Sequence, residues 1–307
     1  MTDAATPTPS AHAATSTAGA STAATSTTPV VRIAGVGKTF GTETGGVRAL
    51  DGIDLAIGQG EFVSLIGPSG CGKSTLLRLI GDLTSPTDGT VEVNGKPARR
   101  ARLDRDYGMV FQAPVLMEWR TVAKNIELPL ELMGYKKAER LRRSSELLKL
   151  VELDGFESRH PWQLSGGMQQ RVAIARALAF DPKLLLMDEP FGALDEMTRE
   201  RMNLELMRIW TRTRTTVVFV THSIPEAVFL STKVVVMSPR PGRVAKVIDI
   251  DLPQPRTVET REQERYFELV TEVREALRRK DGSAPVGDEA MDAALRDAER
   301  IRAEGLA

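Results

Sequence analysis

Gly67-Pro-Ser-Gly-Cys-Gly-Lys-Ser-Thr75 carries two glycines, a lysine and a hydroxyl at the spacing G-x-x-x-x-G-K-[ST], a pattern made for holding a polyphosphate. Gly67, Gly70 and Gly72 carry no Cβ, so backbone N–H groups along the loop from Gly67 and Pro68 through Ser69 and Cys71 to Thr75 can wrap an anion. Lys73 supplies a full positive charge for the outer phosphates, and Ser74 offers a hydroxyl to a magnesium ion. The ligand implied is a nucleoside triphosphate. The loop alone does not say what its energy drives.

A second constellation lies downstream. Four apolar residues, Leu184-Leu-Leu-Met187, run into Asp188-Glu189. A strand ending there delivers two carboxylates to the edge where open α/β sheets bind ligands. Asp188 is suited to a second magnesium contact, and Glu189, pointing elsewhere, to acting as a base toward water. Upstream, Leu164-Ser-Gly-Gly-Met-Gln-Gln-Arg171 opens a helix. Ser165 is a good N-cap, and Gly166 and Gly167 leave amides bare beside Met168, a second anion cradle. Taken alone, Ser-Gly-Gly reads first as an ordinary capped helix start. His222 follows the apolar run 217–220, at the end of another strand. A histidine so placed can serve a site.

The elements that must position these residues follow from hydrophobic period. The runs 61–66 and 76–80 predict a strand entering the phosphate loop and a helix leaving it, whose N-terminus adds partial positive charge. Continuous apolar runs at 184–187 and 217–220 suit strands buried on both faces, as in a parallel sheet, and 234–237 reads as one more strand. Partial alternation at 31–34 and 49–57 predicts antiparallel strands joined by a turn at 41–46, and 90–95 predicts another strand ending at Asn94-Gly95. Residues 109–111 read as a short strand leading to Gln112. Helical spacing covers 122–151, broken by Pro129 and Gly134, then 164–180 and 197–210. A charged helix is expected over 260–280 with Phe267, Val270 and Leu277 on one side, and a last one over 290–303.

Composition narrows the class. The 307 residues carry 41 basic and 41 acidic side chains, so no global pull toward nucleic acid or anionic lipid arises. No apolar run is long enough to span a bilayer. One cysteine, Cys71, excludes an intrachain disulfide framework and fits a reducing, cytosolic setting. Its place in the loop implies that alkylating it blocks nucleotide binding. Residues 1–29 are almost all Ala, Ser, Thr and Pro, without Lys or Arg. They fit neither a secretory signal nor a transit peptide and are expected to be disordered. His12 lies in that tail, and His160, before Pro161, reads as structural or solvated.

The set resembles one family. Leu-Ser-Gly-Gly-Met-Gln-Gln-Arg is similar to the signature motif of ATP-binding cassette (ABC) ATPases, with Met168 where many members have Gln. The resemblance covers about 30–247. It implies an α/β fold: a P-loop NTPase (RecA-like) core, an antiparallel β subdomain and an inserted helical subdomain at about 113–170. The cassette domain would span 30–255, and a charged helical extension 256–307. The resemblance also implies that Phe40 stacks on adenine, that Gln112 senses Mg²⁺ and water, and that Gly192-Ala-Leu-Asp195 forms the segment whose Asp195 acts across a dimer. His222 would contact the γ-phosphate. Two such chains would pack head to tail, each ATP lying between one chain's 67–75 loop and the other's 165–167 helix start. The implied cofactors are ATP and Mg²⁺.

With one cassette and no membrane span, the chain would work as a homodimer on separate integral membrane permease subunits, served by an extracytoplasmic solute-binding protein. It would sit peripherally on the cytoplasmic face of the membrane. The segment 113–122, with Trp119 and Arg120, would border the groove that receives the membrane subunit. Phe191-Gly-Ala-Leu-Asp-Glu-Met-Thr-Arg-Glu-Arg201, Val235-Val-Met-Ser-Pro-Arg-Pro-Gly-Arg243 and Val115-Leu-Met-Glu-Trp-Arg-Thr-Val122 resemble nitrate, sulfonate and taurine importer ATPases. A DNA-repair cassette would need a long coiled coil between Gln112 and Leu164, where there is no room. A small-molecule kinase or GTPase would lack the 164–171 motif.

Overall fold

The computed structural model describes residues 28–41 and 45–278. The expected tail up to residue 27, the tip of the 41–46 turn and the helix at 290–303 lie outside the described residues.

Among the described residues the chain forms ten strands and eight α-helices. Strands β1 (Val31–Phe40), β2 (Val47–Ile57), β4 (Asp88–Val93) and β5 (Lys96–Pro97) form an antiparallel sheet in the order β2-β1-β4-β5. Its register sets Val31 opposite both Ile57 and Val93. Val31 and Ile33 are buried and Arg32 is exposed, the alternation of a sheet with one wet face.

The second sheet contains β3 (Phe62–Ile66), β6 (Tyr107–Val110), β7 (Leu184–Asp188), β8 (Thr216–Val220), β9 (Lys233–Met237) and β10 (Val244–Asp249). Its order is β10-β9-β3-β8-β7-β6, parallel throughout except at β10. The apolar runs show no alternation because both faces are covered, yet period two survives in which core each residue enters. Phe62, Ile66, Met187, Phe219 and Val236 face one hydrophobic cluster. Val63, Leu65, Leu186, Val218 and Val235 face another. The second cluster is closed by the antiparallel sheet and α1 (Lys73–Ile80), whose Leu76, Leu77, Leu79 and Ile80 are buried. A short helix, α2 (Ala98–Leu103), caps its edge through Ala98 and Ala101.

The first cluster is covered by α3 (Val122–Leu132), α4 (Lys137–Leu150), α5 (Gly166–Ala177), α6 (Glu196–Thr213), α7 (Ile224–Leu230) and α8 (Glu264–Arg278). Gly134 separates α3 from α4 as expected, with a positive φ of 79°. Pro129 does not break α3. An interior proline costs about 3 kcal/mol. Burial of Ile126 and Leu130 on either side of Pro129 outweighs that in the last turn.

The C-terminal helix corrects a phase. Tyr266, Leu269, Val270, Val273 and Ala276 face the core, whereas Phe267 is exposed, its ring edge-on to Tyr266 at 5.9 Å. The stripe at i, i+3, i+4, i+7 excludes position 267. The segment before it grips α7. Arg256, 4% exposed, donates from Nη1 to the carbonyls of Val228 (3.0 Å) and Phe229 (2.6 Å). Tyr266 Oη donates to Pro225 O at 3.1 Å, and the Arg261 guanidinium lies 4.5 Å from the Phe229 ring. Burial pulls Arg256 down to about 10, which leaves it charged at neutral pH.

Candidate active site

Strand order places the site. Neighbouring parallel strands β3, β8, β7 and β6 end at one edge of the sheet. They deliver the 67–75 loop, His222, Asp188-Glu189 and Gln112 in turn. Residues separated by more than a hundred positions in sequence thus meet at the carboxyl ends of adjacent strands, the place where open α/β sheets take ligands.

The phosphate loop is closed by two glycines with positive φ, Gly70 (74°) and Gly72 (103°). At Gly72 a Cβ would stand 2.6 Å from Leu50 Cδ2, so both conformation and space demand glycine. Gly72 also stands at the N-cap of α1 without any side-chain cap, which leaves the first N–H groups of that helix free for an anion. Lys73 is 6% exposed, and its Nζ donates to the carbonyls of Gly67 (2.9 Å) and Pro68 (3.1 Å). Those carbonyls hold the ammonium at the cradle floor.

A cavity of about 440 Å³ opens above this loop. Phe40, Val47 and Ala49 form an apolar wall. Ser69, Gly70, Gly72, Lys73, Ser74 and Thr75 form the floor, with Glu189 and His222 at the far end and Arg240 at the rim. Phe40 is well placed for a planar base, with Lys38 Nζ 5.0 Å from its ring centroid. Gly67, Pro68 and Cys71 do not line the cavity. Their contribution is through the backbone that shapes the loop. Cys71 is 1% exposed and packs into the core with Leu50 and Leu76, and burial pushes its thiol above the ordinary value. The expectation that alkylation blocks the site therefore needs revision: the thiol is out of reach while the protein is folded.

Ser74 Oγ donates to Asp188 Oδ1 at 2.7 Å. A hydroxyl and a carboxylate brought together beside a phosphate cradle are hard oxygen donors suited to Mg²⁺. Among the described residues no group of three or more His, Cys, Asp or Glu forms a metal cage. An ion here would keep phosphate oxygens and waters as its other ligands. Gln112 is not hydrogen-bonded to Ser74 or Asp188. Its Nε2 and Glu189 Oε2 both border Gly192, where a Cβ would meet them at 3.2 and 3.6 Å. Gly192 makes that room.

Glu189 has a φ of 46°, a left-handed backbone that costs a non-glycine residue about 1 kcal/mol or more. Its Oε2 lies 3.6 Å from His222 Nδ1. His222 is fixed from behind. Thr221 Oγ1 accepts from Ser223 N (2.9 Å) and is itself bonded to the buried carboxyl of Glu226, while Ser223 caps α7. Glu226 thus meets both neighbours of His222, its carboxyl accepting from the Thr221 hydroxyl and its backbone N–H donating to Ser223 Oγ at 3.4 Å.

The Ser165–Met168 segment forms a separate cavity of about 580 Å³ with Leu194, Asp195 and Arg201. Ser165 Oγ accepts from Met168 N at 3.3 Å, which leaves the amides of Gly166 and Gly167 uncapped by that hydroxyl. Asp195 caps α6, accepting from Thr198 N at 3.0 Å, and these hydrogen bonds hold its carboxyl below the usual range. The two cavities share no lining residue. One links mechanically to Gln112: on α5, Gln170 Nε2 donates to Phe111 O (3.1 Å), and Arg176 donates to the carbonyls of Val115 (2.8 Å) and Pro114 (2.9 Å). The strip beyond is organised by buried Asn125, which bonds Met117, Arg120 and Thr121, and leaves Trp119 76% exposed. His160 stacks on Trp162 at 4.5 Å, away from both cavities, as its loop position implied.

Residues 50–192 match the ABC transporter family. A taurine import ATP-binding protein of Rhizobium johnstonii is 51% identical over 205 residues, 67% of this chain and 78% of its own length. The chain belongs to the ABC transporter ATP-binding proteins. It is the ATP-hydrolysing type of subunit. An aliphatic sulfonates import ATP-binding protein of Bacillus cereus is 45% identical over 227 residues, 74% of this chain and 88% of that one. A nitrate import ATP-binding protein of Synechocystis sp. is 44% identical over 257 residues, 82% and 96% of the two chains. Among solved structures, a dimeric ATP-binding cassette in a post-hydrolysis state bound to ADP and Pi matches with a TM-score of 0.63 and 38% identity, covering 72% of this cassette and 98% of that chain. Among the described residues, no helix of the cassette is long and apolar enough to cross a membrane.

Proposed function

We propose that this cassette works as a pair on the cytoplasmic face of a membrane, driving import of a small anion of the nitrate, sulfonate or taurine type through separate permease subunits. The observation that carries the reading is the division of the site into two cavities with no residue in common. A nucleotide seated on the 67–75 loop has no Ser165–Gly167 cradle from its own chain to cover it. A second copy, turned head to tail, supplies that cradle and Asp195, and ATP becomes the contact between them.

In hydrolysis, Lys73 turns from the Gly67 and Pro68 carbonyls to the β- and γ-phosphates, and the N-terminal amides of α1 hold the same oxygens. Ser74 and Asp188 would hold Mg²⁺, with Gln112 turning in from beside Gly192, and the ion would neutralise part of the triphosphate charge. Glu189 takes a proton from a water whose oxygen attacks the γ-phosphorus as the bond to ADP breaks in line. His222, locked by Thr221, Ser223 and Glu226, keeps Glu189 and the γ-phosphate in register. Gln112 reports the state of that end to α5 through Phe111. The importers of sulfonate, taurine and nitrate among its relatives support an anion as cargo. Cargo selection would rest with the permease and an extracytoplasmic solute-binding protein. The balanced charge of the chain offers no nucleic-acid footprint.

The test is co-purification with candidate permease subunits in vesicles, followed by ATP hydrolysis with and without nitrate, an alkanesulfonate or taurine. Stimulation by one of them supports the reading. Full-rate hydrolysis by a strictly monomeric cassette at every dilution overturns it.

A further inference from the structure

β9 neighbours β3 on the side away from β8 and runs parallel to it. Its carboxyl end therefore opens on the same edge as the phosphate loop, and what it delivers there is Ser238-Pro-Arg-Pro-Gly242. We propose that Arg240 binds the adenosine end of the nucleotide, closing the cavity over the base and sugar opposite Phe40. This rests on the reading of the cavity as the ATP site.

The hairpin from β9 to β10 is held rigidly against β2. Gly242 N donates to Ala49 O at 2.9 Å, and Gly242 O accepts from Asp51 N at 3.0 Å. Ser238 closes on the backbone of Arg243 twice, donating from N to Arg243 O at 3.0 Å and accepting at Oγ from Arg243 N at 3.0 Å, and Arg243 pairs with Asp51. Gly242 also packs so closely on the phosphate loop that a Cβ there would collide with the Cys71 carbonyl oxygen. Proline on each side of Arg240 fixes φ, so little backbone freedom remains to be lost when a ligand arrives.

Placement assigns the end of the nucleotide. The hairpin is stitched to Ala49 and Asp51, and Ala49 and Val47 stand with Phe40 on the apolar wall, away from Glu189 and His222 at the far end of the cavity. Arg240 lines that cavity and makes no ion pair or hydrogen bond with the described residues, whereas Arg243 and Arg48 beside it are both paired with Asp51. A free, planar guanidinium at an aromatic-walled cleft suits stacking on a nucleobase and donation to ribose oxygens.

The test measures dissociation constants of ATP, ADP and inorganic tripolyphosphate for the wild-type cassette, Arg240→Ala and Lys73→Ala. For Arg240→Ala, ATP and ADP are expected to bind about three- to tenfold more weakly by the same factor, with tripolyphosphate unchanged. Unchanged tripolyphosphate binding also shows that the loop remains folded. For Lys73→Ala all three ligands weaken. If Arg240→Ala leaves ATP binding intact, or weakens tripolyphosphate as much as ATP, the assignment fails while the site stands. If Lys73→Ala leaves all three ligands unaffected, the cavity is not the nucleotide site and the inference falls with it.

Discussion

Replacing Glu189 by Gln keeps shape and removes one negative charge and one proton acceptor. The two losses act on different quantities. Loss of a positioned base lowers a proton-transfer step by about 10² to 10⁴-fold, or roughly 3–5 kcal/mol of barrier. Loss of the charge removes repulsion toward the terminal phosphate. At about 5 Å and an effective dielectric of ~20, a unit pair is worth about 3 kcal/mol. Glu189 keeps 29% side-chain exposure, and solvent screens most of that repulsion. ATP affinity is therefore expected to hold or rise up to about tenfold while turnover collapses, and the paired form to accumulate. Oε2 lies 3.6 Å from His222 Nδ1, so Glu189→Gln and His222→Ala combined should cost far less than the sum of their separate effects. The assay is single-turnover phosphate release, with ATP affinity by equilibrium binding and mass by light scattering. Turnover within tenfold of wild type refutes the base assignment. ATP binding lost as fully as in Lys73→Ala refutes the argument that Glu189 acts on water rather than on the loop.

Three further outcomes are expected. Burial raises the Glu226 carboxyl above its ordinary 4.5, with the Thr221 hydroxyl opposing. An acid so raised gives stability that is fully present at pH below 4.5 and is lost as pH climbs through the folded value. The melting temperature of Glu226→Gln should thus gain on wild type as pH rises above 4.5, and a pH-independent gap contradicts this. Arg256→Met leaves the Val228 and Phe229 carbonyls without their buried partner, at a cost of about 3 kcal/mol or roughly 5–10 °C in melting temperature; a shift under 2 °C in calorimetry contradicts the strap. Cys71 should react with maleimide only slowly in the native cassette and at the rate of a free thiol in denaturant; fast native labelling contradicts its burial.

The phosphate loop, the capped start at Ser165 and the strands of the parallel sheet were legible because each is encoded within some ten residues by fixed spacing or unbroken apolar runs. Their assembly was legible only through resemblance, since nothing local states that β8 lies between β3 and β7. Arg240, Glu226 and Arg256 escaped because their meaning is wholly in tertiary partners: an arginine between prolines, a glutamate at the third position of a helix and an arginine after a Pro-Gln-Pro turn are all ordinary surface patterns. Phe267 was drawn inward by its hydrophobicity, but one position of helical phase put Tyr266 there instead. Pro129 was read as a breaker because propensity is local, while the packing that retains the helix is not.

The ties from Gln170 and Arg176 to the carbonyls at 111, 114 and 115 give α5 two masters. In the proposed pair its first turn would present Gly166 and Gly167 to the second copy, while its middle and last turns hold the backbone that carries Gln112 toward Trp119. A push on that exposed strip cannot be absorbed where it lands. It either ruptures three bonds, two of them from a guanidinium, or swings the whole rod and displaces the far cradle in the same stroke.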